Sequence, residues 1–477
     1  MAKLTKQSED FSKWYLDLVQ MADLIDYAPV KGCMIIKPYG YKIWELIQQD
    51  MNRRMEKLGV ENAYFPLLIP ESFIKKEAEH VEGFAPELLT ATRVGDKELD
   101  EPYVLRPTSE TIIYDSYAKW VHSYRDLPLK MNQWANIIRW ELKTKPFLRT
   151  TEFLWQEGHT VHSSCEEADE MVKDALNMYS DFEKETLAFA VIKGKKSDAE
   201  KFPGAFYTTT VEALAKDGKA IQTGTSHNLG QGFAKAFNIQ FADKDEQMKY
   251  PWLTSWGVST RLIGTMIMIH GDDKGLRLPP KIAPIQVVIV PIFKDEEGKK
   301  EVMRKVNDIY SSLKNQEIRV KIDDREEKSP GFKFNEWEIK GVPLRIEIGP
   351  KDIEDNQCVC ARRDNSEKQA VQLDDVNQII PELLEAIQDN LFNQSQEHLN
   401  QNIIDVFDFE RFNELLDERG GFMRVGWCGD KKCEKEIQEK TKATSRCIPL
   451  EGQENVKGEC FHCGAEAKYV ALFARGY

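Results

Sequence analysis

Hydrophobic and polar positions alternate along this chain with two different periods. Apolar residues recur at helical spacing over residues 11–24, and Asp26, Tyr27, Ala28 and Pro29 end that run. Pro38 opens a longer helix with Ile43, Ile47, Met51, Met55 and Leu58 on one stripe, and Gly59 closes it as a C-cap. Residues 63–69 read as a strand that carries Pro66, and residues 111–123 as a helix with Thr108 and Ser109 where N-caps sit. Over residues 132–162 the period falls to two. A first strand puts Ile138, Trp140 and Leu142 on one face and Ile137, Arg139 and Glu141 on the other. After the basic loop Lys143, Thr144, Lys145 and Pro146, a second strand puts Phe153, Trp155, Glu157 and His159 on a single face. Period alone gives an antiparallel hairpin with one solvated side. Composition points to a pocket, because apolar walls interleaved with a few placed polar groups are what ligand sites are made of.

Residues 166–188 read as a helix, and Arg261 stands at the head of an apolar helix ending at His270. From residue 285 a new alternation begins: strand 285–291, helix 296–314, strand 318–322, a helical patch 334–340, strand 344–348, strands 357–362 and 370–373, and helix 376–392. Strands alternating with helices argue for a separate α/β domain. Residues 390–402, rich in Asn and Gln, read as a helix tail or linker.

A length of 477 residues fits about three domains. Residues 1–10 are polar with no apolar signal core, and no run reaches the roughly 18 apolar residues that span a bilayer, so the expected location is cytoplasmic, with no membrane. A net charge of −14 disfavours a protein that coats nucleic acid through phosphate contacts; any RNA binding must be local. Four of the nine cysteines, Cys428, Cys433, Cys460 and Cys463, stand at metal-ligand spacing near the C-terminus. Four soft thiolates suit a closed, structural zinc site; buried free thiols are the plainer alternative, with Cys447 and His462 as substitute ligands. Cys358 and Cys360 read as strand packing.

Arg139, Trp140 and Glu141, the loop ending in Arg149, and Phe153 to His159 resemble motif 2 of the class II aminoacyl-tRNA synthetases. Together with Val104, Leu105, Arg106, Pro107, Thr108, Ser109 and Glu110 and the C-terminal cysteines, they resemble the prolyl-tRNA synthetase family of the archaeal and eukaryotic type. The resemblance covers nearly the whole chain. Residues 38–66 resemble motif 1, which implies a homodimer interface, and Thr254 to Arg261 resemble motif 3. The implied fold class is α/β (α+β): an antiparallel-sheet catalytic core with helices over residues 1–283, an α/β anticodon-binding domain over 284–390, and a small C-terminal zinc-binding α/β domain over 391–477.

The implied reaction joins L-proline to tRNA(Pro) through a prolyl-adenylate made from ATP, with Mg2+ on the phosphates. Neither phosphate-cradling glycine fingerprint is present, so ATP must be held by side chains, for which planar guanidiniums are best suited. By the resemblance, Arg139, Glu141 and Arg261 carry the chemistry. Arg139 holds the proline carboxylate and α-phosphate, Arg149 and Arg261 the outer phosphates, and Glu141 and Phe153 the adenine; Gln222, Thr225 and Ser259 also face ATP. Thr108, Glu110, Trp155, Glu157, His159 and His227 shape the proline pocket beside Arg139. Glu200 to Ala205 resemble a loop that orders over proline. Taken alone, these words have plainer readings: a capped helix start at Thr108 to Glu110, a Pro-Gly turn at Pro203, a glycine-rich turn at Gln222 and a surface salt bridge at Arg261. Residues 160–254 leave no room for the large hydrolytic insertion of the family's bacterial type. Two alternatives stand beside this reading: another class II synthetase, such as the threonyl or seryl type, and a catalytically silent tRNA-binding relative.

Overall fold

Residues 3–78, 88–456 and 458–477 are described by a computed structural model. Helix α1 (Phe11–Met21) starts at Asp10, whose side chain caps Lys13 N–H, and α2 (Pro38–Lys57) has proline at its first position; Gly59 follows in the left-handed region at φ 71°. The expected strand over residues 63–69 is broken. Only Glu61–Asn62 (β1) joins the large sheet, and Leu68–Pro70 joins a separate three-stranded one. Pro66 has no N–H to give a ladder. Side chains serve the neighbouring backbone instead: Gln133 Oε1 accepts from Phe65 N–H, and Arg106 donates to the Phe65 carbonyl.

Helix α3 (Glu110–Trp120) begins at Ser109, but neither expected hydroxyl caps it. Thr108 donates to Glu110 and Ser109 to Glu157, so carboxylates have taken both hydroxyls from the helix end. Strands β2 (Leu129–Ile138) and β3 (Glu152–His162) form the expected antiparallel hairpin, in register Gln133 to Glu157 and Ile138 to Glu152. The first strand is shorter than its pattern suggested. The ladder ends at Ile138, and Trp140 and Leu142 are exposed at 45% and 77% rather than buried on a core face. Beyond Ile138 the chain makes its own tight turn, Lys145 N–H to Arg149 O at 2.7 Å, and Pro146 adds no donor.

Helix α4 (Cys165–Glu185) is capped by Ser164 and leads to β4 (Ile192–Lys195), β5 (Tyr207–Leu214), β6 (Ala220–Gly230) and β7 (Trp252–Ser259), followed by α5 (Arg261–His270). Alternation along β3 sorts its two faces. Gln156 faces α4 and accepts from Tyr179 Oη at 2.7 Å, while Phe153, Trp155, Glu157 and His159 line a cavity on the other side. Gly158 must be glycine, since a Cβ there would stand 2.2 Å from the Trp256 ring. Helices α1, α2, α4 and α5 bury Trp14, Trp44, Tyr179 and Ile263 in one core behind the sheet.

A second sheet contains β8 (Val287–Pro291), β9 (Val320–Ile322), β10 (Leu344–Ile348), β11 (Gln357–Arg362) and β12 (Lys368–Gln372) in the order β9-β8-β10-β11-β12. The β9, β8 and β10 pairings are parallel and the rest antiparallel, with α6 (Glu296–Asn315) and α7 (Pro330–Ile339) as crossovers. Helix α8 (Val376–Gln401) runs through the whole Asn- and Gln-rich stretch. The C-terminal part adds β13 (Ile403–Asp405), α9 (Phe409–Glu418), β14 (Phe422–Trp427), α10 (Lys431–Thr441), β15 (Thr444–Pro449) and β16 (Tyr469–Ala474). Its sheet is continuous with the large one. Ile448 on β15 pairs with Lys195 on β4, giving one eleven-stranded sheet in the order β13-β14-β16-β15-β4-β5-β6-β7-β3-β2-β1.

Candidate active site

The face of β3 opens into a cavity of about 330 Å³. Its walls bring together, from five separate segments, Thr108, Glu110, Arg139, Phe153, Trp155, Glu157, His159, Gln222, Thr225, His227, Ser259 and Arg261. Gln222 and Thr225 lie on opposite sides of a strict alternation, yet both reach the cavity. The register of β6 against β5 shifts between Gln222 and Gly224, so one extra residue re-aims the strand. The stretch expected as a possible turn before a strand is therefore the interior of a bulged strand.

Within the cavity the carboxylates are tightly held. Glu157 Oε1 accepts from Ser109 Oγ and from Gln133 Nε2 at 2.6 Å, and Glu157 Oε2 faces His159 Nε2 at 3.0 Å. Burial alone would raise the Glu157 pKa, but bonds from His159, Ser109 and Gln133 hold it below the usual range. Burial likewise works to lower His159, and the Glu157 carboxylate overrides it and raises it. His227, packed against Phe202 with ring centroids 4.8 Å apart, is pushed down to about 3 by burial and by the charge of His159, and is neutral. Its Nδ1 lies 2.9 Å from Thr208 Oγ1.

Two guanidiniums line the same cavity. Arg139 lies with its guanidinium 5.5 Å from the ring centroids of both Phe153 and Trp155, and its Nε donates to the Pro107 carbonyl at 2.8 Å. Arg261, at the start of α5, donates to the carbonyls of Leu148 and Gln222. Its pKa is pushed down to about 10, first by burial and then by the like charges of Arg446 and Arg139. Arg139 and Arg261 bond to backbone carbonyls and form no ion pair with a carboxylate among the described residues, and buried cations held in this way suit an anionic ligand. Trp155 Nε1 and Ser255 Oγ are buried here with no hydrogen-bond partner among the described residues.

Two expected residues are not in this wall. Glu141 and Arg149 pair with each other at 2.7 Å on the loop between β2 and β3, and the Arg149 side chain is 58% exposed. The expectation that Arg139 and Glu141 share a strand face fails for the same reason that β2 ends early: past Ile138 there is no strand to keep them in step. Sequence reasoning missed Lys196 and Thr208, which also line the cavity. Lys196 belongs to the run Lys193, Lys195, Lys196, which reads as solvated; only the buried Glu212 sixteen residues later hints at a partner.

In the C-terminal part, the sulfurs of Cys428, Cys433, Cys460 and Cys463 all lie within 4.8 Å of one another. Cys433 to Cys460 is 3.8 Å and Cys463 to Cys428 is 3.6 Å. A metal–sulfur bond of about 2.3 Å puts tetrahedral sulfurs about 3.8 Å apart, so the spacing fits one ion. Cys447 lies apart, buried against Gly194, while His462 Nδ1 is 3.4 Å from Cys433 Sγ.

An antiparallel sheet whose central strands carry a cavity lined by arginines and carboxylates, with a parallel-stranded α/β unit after it, defines a class II aminoacyl-tRNA synthetase. Residues 92–270 match the tRNA synthetase class II core domain (G, H, P, S and T), residues 286–383 the anticodon binding domain, and residues 409–477 the prolyl-tRNA synthetase C-terminal domain. The proline–tRNA ligase of Alkaliphilus oremlandii is 52% identical over 475 residues, covering 100% of this chain and 98% of its own. That of Roseiflexus sp. is 52% identical over 479 residues, covering 99% of each. The crystal structure of prolyl-tRNA synthetase from Cryptosporidium parvum, complexed with halofuginone and AMPPNP, superposes with a TM-score of 0.94 at 44% identity over 99% of both chains. The chain belongs to the prolyl-tRNA synthetase family.

Proposed function

We propose that the chain, as a proline–tRNA ligase, forms prolyl-adenylate from L-proline and ATP in the 330 Å³ cavity and then passes the prolyl group to the terminal adenosine of tRNA(Pro). The observation that carries this reading is the lining of the cavity. Buried carboxylates, Glu110 and Glu157, and guanidiniums bonded only to backbone carbonyls, Arg139 and Arg261, line one cavity, the mixture of groups a zwitterionic imino acid and a polyphosphate require. Glu110 with Thr108 would meet the cationic imino nitrogen, while Trp155, His159 and His227 bound the ring. Arg139 would hold the carboxylate and α-phosphate together, so that a carboxylate oxygen attacks phosphorus in line and pyrophosphate leaves. No protein nucleophile is needed; positioning and charge neutralisation suffice. Arg261 would take the outer phosphates and Phe153 the adenine, with Gln222, Thr225 and Ser259 around the nucleotide. Glu141 and Arg149 join the nucleotide site only if their mutual ion pair opens. Magnesium bound with ATP would neutralise further phosphate charge.

The same proposal includes a catalytic core over residues 1–283, an anticodon-binding domain over 284–390 and a C-terminal domain over 391–477 whose four thiolates hold a structural zinc. Their sulfur spacing supports it. A homodimer through residues 38–66 is supported by the exposed Tyr41 and Tyr64 in that segment, with Tyr27, Val30, Ile35 and Leu68 exposed beside it. A cytoplasmic location agrees with the finding that no helix among the described residues is long and apolar enough to cross a membrane. ATP–pyrophosphate exchange with each amino acid in turn tests the substrate: proline should support the fastest exchange, and exchange driven by threonine or serine, or none at all, would sink the reading.

A further inference from the structure

The cavity is lined on one side by Lys196 and by residues 200–203, and this segment is tied to the C-terminal part of the chain. Lys196 Nζ donates to Glu212 Oε1 and to the Arg446 carbonyl, both at 2.8 Å. Glu212 is completely buried; its other oxygen accepts from Arg446 Nε at 3.0 Å and Nη2 at 2.8 Å. One residue on, Ser197 Oγ donates to Glu434 Oε1 at 2.8 Å, on helix α10 beside Cys433. At its far end the segment rests on the pocket, with Phe202 N–H donating to Thr208 Oγ1 at 2.9 Å and the Phe202 ring against His227. So the first residues of the loop are anchored 250 residues away in sequence, and the last lie in the cavity lining.

We infer that the C-terminal domain holds the pocket loop in place, with Arg446 as a positioning residue for amino-acid binding, acting through Glu212 and Lys196. A buried carboxylate shared by two cations from different domains is satisfied only while both stay; removing one leaves charge uncompensated and frees the loop's origin. Arg446 itself touches no substrate in this reading, which rests on proline sitting beneath residues 196–203. Loosening the loop should therefore weaken proline binding more than ATP binding.

The test is steady-state ATP–pyrophosphate exchange by the full chain carrying Arg446→Ala. The expected result is a proline KM raised about tenfold with the ATP KM within about twofold of wild type, partly restored in Arg446→Lys, which keeps one cation on Glu212. A general loss of structure would not split the two constants in this way. Unchanged proline KM in folded Arg446→Ala, or equal rises in both constants, overturns the inference. If Arg446→Ala does not fold, Ser197→Ala and Arg446→Lys are read by the same split, and no rise in proline KM in either overturns it. Hydrogen exchange of residues 196–206 in the wild-type chain, with and without proline plus a non-hydrolysable ATP analogue, tests the location of proline separately. Protection there together with unchanged KM in the variants sinks the clamp alone; no protection sinks the placement on which it rests.

Discussion

The cavity and the thiolate cluster place unlike charges in unlike ways. In the cavity, cationic and acidic groups share one lining, Arg261 is depressed by burial and then by neighbouring arginines, and Trp155 Nε1 and Ser255 Oγ have no partner among the described residues. Four sulfurs of one kind face one another at the edge length of a small tetrahedron in the cluster. The first arrangement fits a molecule with several different groups, one that can come and go. The second fits a single cation, and four thiolates leave no open position for substrate. On the proposed function, one site serves turnover and the other holds its ion permanently.

The largest effect should come from the permanent site. Ligand binding to a structural zinc site is folding energy, on the order of 10 kcal/mol in small domains, so chelation should destabilise residues 402–477 most of all. Elemental analysis should find one tightly bound zinc per chain, and protease sensitivity after chelation should appear first in that region. Metal-free protein with an unchanged melting profile would erase the distinction between the two sites.

Next is the turnover site. Arg139→Ala should lower the exchange rate by about 10²–10³-fold while leaving the melting temperature near wild type, since a clamp on developing charge is worth about 2–4 kcal/mol. Arg149→Ala should cost much less: Arg149 is half exposed and already paired with Glu141. Equal losses in the two variants would mean that the ion pair opens during the reaction.

What the sequence made legible follows the range of the interactions. The period of two along β3 set Phe153, Trp155, Glu157 and His159 on one wall because alternation is a local property of a strand. Cysteine spacing marked the cluster because the ligands on each arm are near neighbours. Long-range facts were silent. Nothing local says that Lys196 leaves a basic run to meet Glu212 and Arg446, or that Ser109 will give up a helix cap to serve Glu157. The bulge in β6 hid Thr225 and Gln222 from any strict period, and Trp140 and Leu142 kept the alternating pattern after the ladder had ended. The continuity of β15 with β4 across the domains had no signal at all.

A smaller effect concerns which amino acids the turnover site admits. Walls made by Trp155, His159 and His227 can exclude a larger side chain by collision, but a smaller one loses only packing, about 1–3 kcal/mol per methylene. Residues 160–254 are filled by the end of β3, α4, β4, β5, β6, a short helix Gly232–Ala236, the short strands Phe241–Ala242 and Met248–Lys249, the start of β7 and the segments between them, with no additional domain. Alanine and cysteine should therefore support measurable exchange, and preformed Ala-tRNA(Pro) should survive incubation with the pure protein. Enzyme-dependent loss of its ester bond would reveal a hydrolytic site elsewhere.

The smallest effect per residue is acid sensitivity, and it separates the sites by protonation. Burial pushes His162 down to about 4, and His227 and His270 down to about 3, so all three are neutral in the folded chain. In the unfolded chain each titrates near 6.5. Below that pH the unfolded state takes up protons that the folded state refuses, so stability falls as pH drops from about 6.5 toward 4, by about 2 kcal/mol for each histidine at pH 5. His159 runs the other way. Its folded pKa is raised by Glu157, so its contribution is fully present below about 6.5 and is lost as pH rises through the folded value. Urea midpoints at pH 7 and pH 5 should therefore move apart in wild type and less so in His270→Gln, whose ring lies outside the cavity against the Leu187 carbonyl. A variant that keeps the full acid slope would mean that His270 is protonated in the fold.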